Sequence, residues 1–186
     1  YPTLNGTSVI IDIGANIGVF SLYAAYTGAG RIYAYEPNRE AYEVLQRNIV
    51  NNNLANVITA YKTAVSDKDG DTVKIPLTSS PYNQLITRDD MAQNFETVTT
   101  VSLGGILKNN RINSVSLLKI DCEGAEYGII FNSQDTDFAR IKNIRMEYHP
   151  GPIDELIACL TKHGFRIDFF DKDRAVVWVS SPGGGK

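Results

Sequence analysis

Asp12, Gly14, Asn16 and Gly18 alternate through IDIGANIGVF, residues 11–20, where an apolar run meets an acid and then turns on two glycines. A carboxylate at a strand end favours a cationic group nearby, and glycines allow a tight turn against a ligand. The dinucleotide fingerprint G-x-G-x-x-G requires glycine where this chain has Asn16, and again where it has Val19. No Gly-Lys-Ser/Thr follows, so a Walker phosphate loop is excluded. The pattern D-x-G-x-N-x-G suits a ligand with an amino group and no pyrophosphate. The next apolar run ends in Glu36, where an acid can accept hydrogen bonds from both hydroxyls of an unmodified ribose. An adenosine with an amino-acid tail is S-adenosylmethionine. Each feature also has a plainer reading: the glycines can serve helix packing, and Glu36 can be a solvated carboxylate. Their order along the chain is what argues for a nucleoside cofactor, although Glu36 alone does not separate it from NAD.

A second set lies near the ends of two later runs. Strand alternation puts Lys119, Asp121 and Glu123 on one side and Leu118, Ile120 and Cys122 on the other. It likewise groups Arg145, Glu147 and His149. Methyl transfer to a hydroxyl needs in-line positioning and an acceptor for the hydroxyl proton. With an ordinary pKa of about 6.5, His149 can take that proton near neutrality, so His149 or Asp121 is the expected base, with Glu147 beside them. The same Asp121, Glu147 and His149 suit a divalent cation, a second reading. A third is a structural ion-pair set neutralised by Lys119 or Arg145. Lys119 reads as structural, Glu123 as a complement to a helix dipole, His163 as a surface residue, and Tyr82 as either pocket-lining or packing.

Elements of matching type surround these residues. Short β-branched runs alternate with amphipathic stretches, the signature of a doubly wound, mostly parallel α/β sheet covered by helices on both faces. Strands are expected at 8–12, 31–37 and 57–65, a fourth strand followed by a helix within 114–130, and a fifth strand within 141–152, with further helices at 19–27, 39–53, 103–110 and 153–165. Extended segments at 66–80 and 95–103 break the alternation and read as a small β insertion, and 166–180 reads as a hairpin. At 186 residues the chain fits one domain, expected over 1–181, with 182–186 a disordered tail. A net charge of −3 lacks the basic excess of a nucleic-acid binder, and no apolar stretch is long enough for a membrane span. Two cysteines and no basic-then-apolar opening give the expectation of a cytoplasmic protein.

Several stretches together resemble the FkbM-type branch of class I S-adenosylmethionine-dependent methyltransferases: DIGANIGVFS at 12–21, YEP at 35–37, AVSDKDG at 64–70, LLKIDCEGAEY at 117–127 and EYH at 147–149. KIDCEGAE is the most specific of them. The resemblance implies a Rossmann-like methyltransferase sheet of seven strands with an antiparallel last strand, and O-methylation of a small-molecule or sugar hydroxyl. By position it puts Asp12, Gly14, Asn16 and Gly18 around the methionine part of the cofactor, Glu36 at the ribose, and Ala64 and Val65 at the adenine edge. SSPYNQLI at 79–86 departs from the Gly-containing stretch common in the family, so the resemblance does not carry over the acceptor pocket or the acceptor. Two rivals stand: a non-catalytic cofactor-binding module, and an NAD or nucleotide-sugar enzyme, which the missing middle glycine disfavours. A nucleic-acid methyltransferase is disfavoured because DCEG stands where the Asn/Asp-Pro-Pro-Tyr/Phe signature of amino methylation belongs.

Overall fold

Ile and Val runs bounded by turns form the strands. The computed structural model describes residues 2–76 and 95–182. The strands are β1 (Val9–Ile13), β2 (Arg31–Tyr35), β3 (Ile58–Tyr61), β4 (Ala64–Val65), β5 (Thr72–Pro76), β6 (Phe95–Val101), β7 (Leu117–Ile120), β8 (Asn143–Glu147), β9 (Arg166–Asp171) and β10 (Val176–Ser180). The helices are α1 (Val19–Tyr26), α2 (Arg39–Asn51), α3 (Leu103–Asn109), α4 (Glu126–Asn132), α5 (Asp135–Phe138) and α6 (Ile153–Lys162).

Seven strands pair in the order β3-β2-β1-β7-β8-β10-β9. β3, β2, β1, β7 and β8 run parallel, and β10 is antiparallel to both neighbours. The antiparallel last strand expected from the resemblance is therefore present, wedged between β8 and β9 rather than at the edge. The chain winds outward from β1 to β3, then crosses to β7 on the other side. The order reverses beside β1, and it is beyond the carboxyl ends of the strands at such a switch point that open α/β sheets take their ligands.

Alternation along the central strands builds a core on each face. Ile10 of β1 and Leu117 of β7 pack with Ile32, Ala24 of α1, and Leu45 and Ile49 of α2. Ile11, Ile13, Leu118 and Ile120 face the other way, toward Ile106 of α3, Ile129 and Ile130 of α4, and Leu156 and Leu160 of α6. Ala41, Leu45 and Ile49 recur at helical spacing, and burying each of the two larger side chains contributes about 1.5–3 kcal/mol. The Asn38 side chain starts α2 by accepting the Ala41 N–H at 3.1 Å.

The strand expected at 57–65 is corrected: it breaks after Tyr61, and Ala64–Val65 leaves the main sheet to pair in parallel with β6. β6 also pairs antiparallel with β5, so the insertion is a small sheet of its own. Residues 79–86, with Tyr82, and the tail beyond Pro182 lie outside the described residues. Cys122 and Cys159 are unpaired thiols. Among the described residues no helix is long and apolar enough to cross a membrane.

Candidate active site

The glycine turn follows β1 directly, and its geometry explains its sequence. Gly14 adopts φ +73° and Gly18 φ +90°, and Asn16 between them is also left-handed at φ +50°. A Cβ on Gly14 would run into the backbone carbonyl oxygen of Asp121, so the carboxyl ends of β1 and β7 approach more closely than any side chain allows. A Cβ on Gly18 would meet Leu45 of α2. The Gly14 and Ala15 N–H groups both donate to the Tyr35 carbonyl at 3.0 Å, tying the turn to β2.

Glu36 closes the other side of the turn. It is only 7% exposed. Oε2 accepts the Asn16 N–H and Oε1 the Asn38 N–H, each at 2.8 Å. An ionised carboxylate offers roughly four acceptor positions, so two remain for further donors. Burial pushes its pKa up; the Asn38 and Asn16 N–H groups and the Lys119 charge pull it down, and Asp12 adds a smaller upward push.

Asp12 is fully buried beneath the turn. Oδ2 accepts the Ser21 hydroxyl of α1 at 2.6 Å, and Oδ1 lies 3.3 Å from Lys119 Nζ. Lys119 also donates to the Gly14 carbonyl at 2.7 Å and lies 3.7 Å from Asp121 Oδ2. This matches the structural pairing expected of Lys119, because leaving so buried a carboxylate without a counter-charge is costly. Ala64 and Val65 are buried just beyond the carboxyl end of β3.

The third group forms at the ends of β7 and β8. β7 ends at Ile120 and β8 at Glu147, so strand alternation stops before Glu123 and before His149. Glu123 and Gly124 both take positive φ in the turn leading to α4. Ligand atoms of Asp121, Glu147 and His149 nonetheless come within 4.8 Å of one another. Arg145, in β8, pairs with Asp168 at 3.7 Å, donates to the Val179 carbonyl, and lies over the Trp178 ring.

His149 meets two carboxylates, Glu126 at Nδ1 (2.8 Å) and Glu123 at Nε2 (3.1 Å). Burial opposes charge on its ring, but the hydrogen bond and charge of Glu126, with Glu123 and Asp121, outweigh burial and raise its pKa. Glu126 is fully buried at the first position of α4, and its Oε1 also accepts the Cys122 and Gly124 N–H groups at 3.2 Å. It falls outside the strand alternation and was missed by that reasoning; the available signal was an acid at a helix start just after the KIDC strand end. Burial, with the charges of Glu126 and Asp121, pushes the Cys122 thiol up, so it stays protonated. His163, expected at the surface, instead packs on Phe138 at 4.2 Å between centroids and bonds the Cys159 carbonyl.

The carboxyl ends of β1, β2, β7 and β8 thus gather the glycine turn, Glu36, Asp121 and His149 at one edge. A cavity of about 620 Å³ at the opposite edge, lined by Ser8, Ser116 and Asn143 among others, contains none of the expected site residues. The family model described as Methyltransferase FkbM domain matches residues 12–167. The chain is 28% identical to the 31-O-demethyl-FK506 methyltransferase FkbM of Streptomyces tacrolimicus, over 86% of this chain and 73% of that protein. It is 27% identical to methyltransferase sdnD of Sordaria araneosa, over 89% of this chain and 75% of that one. In fold it resembles methyltransferase FkbM from Methylobacillus flagellatus KT, with a TM-score of 0.61 and 17% identity, over 95% of this chain and 44% of that one. It also resembles M. capricolum TrmK in complex with S-adenosyl-homocysteine, with a TM-score of 0.61 and 13% identity, over 98% of this chain and 66% of that one. The chain therefore spans under half of the first of these structures and about two thirds of the second.

Proposed function

The chain belongs to the methyltransferase FkbM domain family, and from that premise we propose that it methylates a hydroxyl of a small molecule or sugar at the expense of S-adenosylmethionine. The observation that carries the cofactor assignment is Glu36: a buried carboxylate beside the glycine turn, with two acceptor positions taken by backbone N–H groups and two left for a ribose diol. The donor set fits the cofactor. Glu36 holds the ribose, the backbone of Gly14, Asn16 and Gly18 borders the methionine part, and Ala64 and Val65 flank the adenine edge. Asp12 acts from beneath, keeping Lys119 and the turn in place. Residues 1–181 read as one methyltransferase domain.

When bound, S-adenosylmethionine supplies a methyl group on a positively charged sulfur, an electrophile that needs no further activation. The chain's own work is to orient the acceptor and accept its proton. His149 is the proposed base, with Asp121 and Glu147 placed to hold the hydroxyl. The charged side chains that meet His149 or cluster with it, Glu123, Glu126, Asp121 and Glu147, are acidic, and Lys119 is engaged by Asp12 and the Gly14 carbonyl. Such a field favours neutral acceptors over phosphate-bearing ones, which supports a small molecule or sugar rather than nucleic acid.

The clustering of Asp121, Glu147 and His149 favours a second reading, in which these three hold a divalent cation that lowers the pKa of the acceptor hydroxyl. Calorimetric titration with S-adenosylmethionine, S-adenosylhomocysteine and NAD, with and without magnesium, tests both. Selective binding of the first two is expected. Binding of NAD alone removes the methyltransferase reading, and an acceptor reaction that stops with chelator and returns with magnesium moves His149 from base to ligand.

A further inference from the structure

We propose that Glu126 is the positioning residue of this site, fixing the His149 ring so that Nε2 is the atom that takes the acceptor's proton. The inference rests on the methyl-transfer reading above and concerns a side chain to which that reading gives no role.

His149 lies two residues past the end of β8, between Tyr148 and Pro150, where no ladder holds it. The start of α4 supplies the support instead. Glu126 Oε1 sits 2.8 Å from Nδ1, and the next residue, Tyr127, donates its hydroxyl to the His149 carbonyl at 2.7 Å. Ring and main chain are both held by one helical turn.

Glu126 is itself held rigidly. Its side chain is fully buried, and the Cys122 and Gly124 N–H groups donate to the same oxygen that meets the imidazole. An ionised carboxylate only accepts, so Nδ1 carries the proton in this bond. In the neutral ring the lone pair is then on Nε2. Oε1 meets three nitrogens, the Cys122 and Gly124 N–H groups and Nδ1, which anchors the ring, while the buried Oε2 makes no hydrogen bond.

Nε2 faces the only loosely held partner of the pair. Glu123 lies 3.1 Å away, but its side chain is 87% exposed on a left-handed turn. Water can replace the contact at little cost, so an acceptor hydroxyl can displace it. The charged groups around the ring are Glu126 on α4, Asp121 and Glu123 in the preceding turn, and Glu147 at the end of β8. When the acceptor oxygen takes the methyl group, the bond from that carbon to sulfur breaks with its electron pair left on the departing S-adenosylhomocysteine, and the acceptor's O–H proton passes to Nε2. The resulting imidazolium is balanced by Glu126 and releases the proton to solvent on the Glu123 side.

The chain has two histidines, so His163→Gln leaves a single imidazole to observe. Long-range proton–nitrogen NMR of that ring reports the tautomer without an acceptor or cofactor. The expected result is a neutral ring protonated at Nδ1. Adding Glu126→Leu, which removes the acceptor, should abolish the tautomer preference, whereas Glu126→Gln, whose amide oxygen still accepts, should keep it. Adding Glu123→Gln should also keep the tautomer. A parent ring protonated at Nε2 overturns the proposal without any variant at Glu126, as does an unchanged tautomer in a folded Glu126→Leu protein. The reading itself fails by a different route, the absence of S-adenosylmethionine binding, so the two failures are distinguishable.

Discussion

Replacing Glu36 by glutamine perturbs the cofactor site at the side chain that links its two halves. The volume is kept, but one acceptor oxygen becomes an NH2 donor. Oε1 and Oε2 each accept one backbone N–H at 2.8 Å, so the amide leaves either Asn16 or Asn38 facing a donor. It also removes the charged partner of one ribose hydroxyl. A hydrogen bond to a charged group contributes about 1.5–3 kcal/mol. At 1.4 kcal/mol per tenfold, affinity for S-adenosylmethionine should fall by roughly 10- to 150-fold. The lost backbone partner costs about 1–3 kcal/mol of folding stability, and urea unfolding measures that part separately. Acidity adds a second handle. Because burial raises the pKa of Glu36, the folded chain binds its proton more readily than the unfolded chain does. This group therefore makes stability fall as pH rises through the window between its ordinary and raised values. Cofactor affinity runs the other way, since protonation removes an acceptor, and it should drop as pH falls through the raised value. Glu36→Gln should flatten both slopes. A folded variant with unchanged affinity in calorimetry would refute the ribose assignment.

Gly14→Ala combines a strained φ with a collision against the Asp121 carbonyl, and chemical denaturation should show a loss of roughly 2–6 kcal/mol; a loss below 1 kcal/mol would mean that β1 and β7 can move apart freely. Lys119→Met strands the buried Asp12 charge and should cost about 3–5 kcal/mol, with Asp12→Asn added to it restoring much of the loss; no recovery in the double variant would argue against the pair. His149 has a raised pKa, so its pairing with Glu126 and Glu123 stabilises the fold fully below about pH 6.5 and is lost as pH rises through the raised value. Turnover of hydroxyl acceptors, read as S-adenosylhomocysteine release, should rise over that same window as Nε2 becomes free. His149→Ala should slow release by 10²-fold or more with cofactor affinity nearly intact, about the contribution of a general base. Full activity in that variant would transfer the proton to Asp121.

Local patterns carried much of the fold. Short β-branched or alternating apolar stretches predicted β1, β2, β7 and β8, and the Ala41, Leu45, Ile49 spacing predicted α2, because each buried face repeats at the period of its own element. Gly14 and Gly18 were legible as turn residues because positive φ selects glycine. Asp12, Glu36, Asp121 and His149 were legible as candidates because they fall at the carboxyl ends of parallel strands, the edge at which such sheets take ligands.

What the sequence determined by itself was therefore the set of elements and the edge at which they meet. Tertiary structure decided which atoms face one another there. Strand alternation assigned Glu123 and His149 to faces of strands that had already ended, and passed over Glu126. The 57–65 run broke after Tyr61 because β4 found its partner in β6, more than thirty residues away along the chain. The physical reason is one of range. Periodicity reports whether a side chain points inward or outward within its own element, whereas the Glu126–His149 and Asp12–Lys119 contacts join residues far apart in sequence. They exist only because the parallel ladders bring β1, β7 and β8 into register and the close approach at Gly14 holds their ends together.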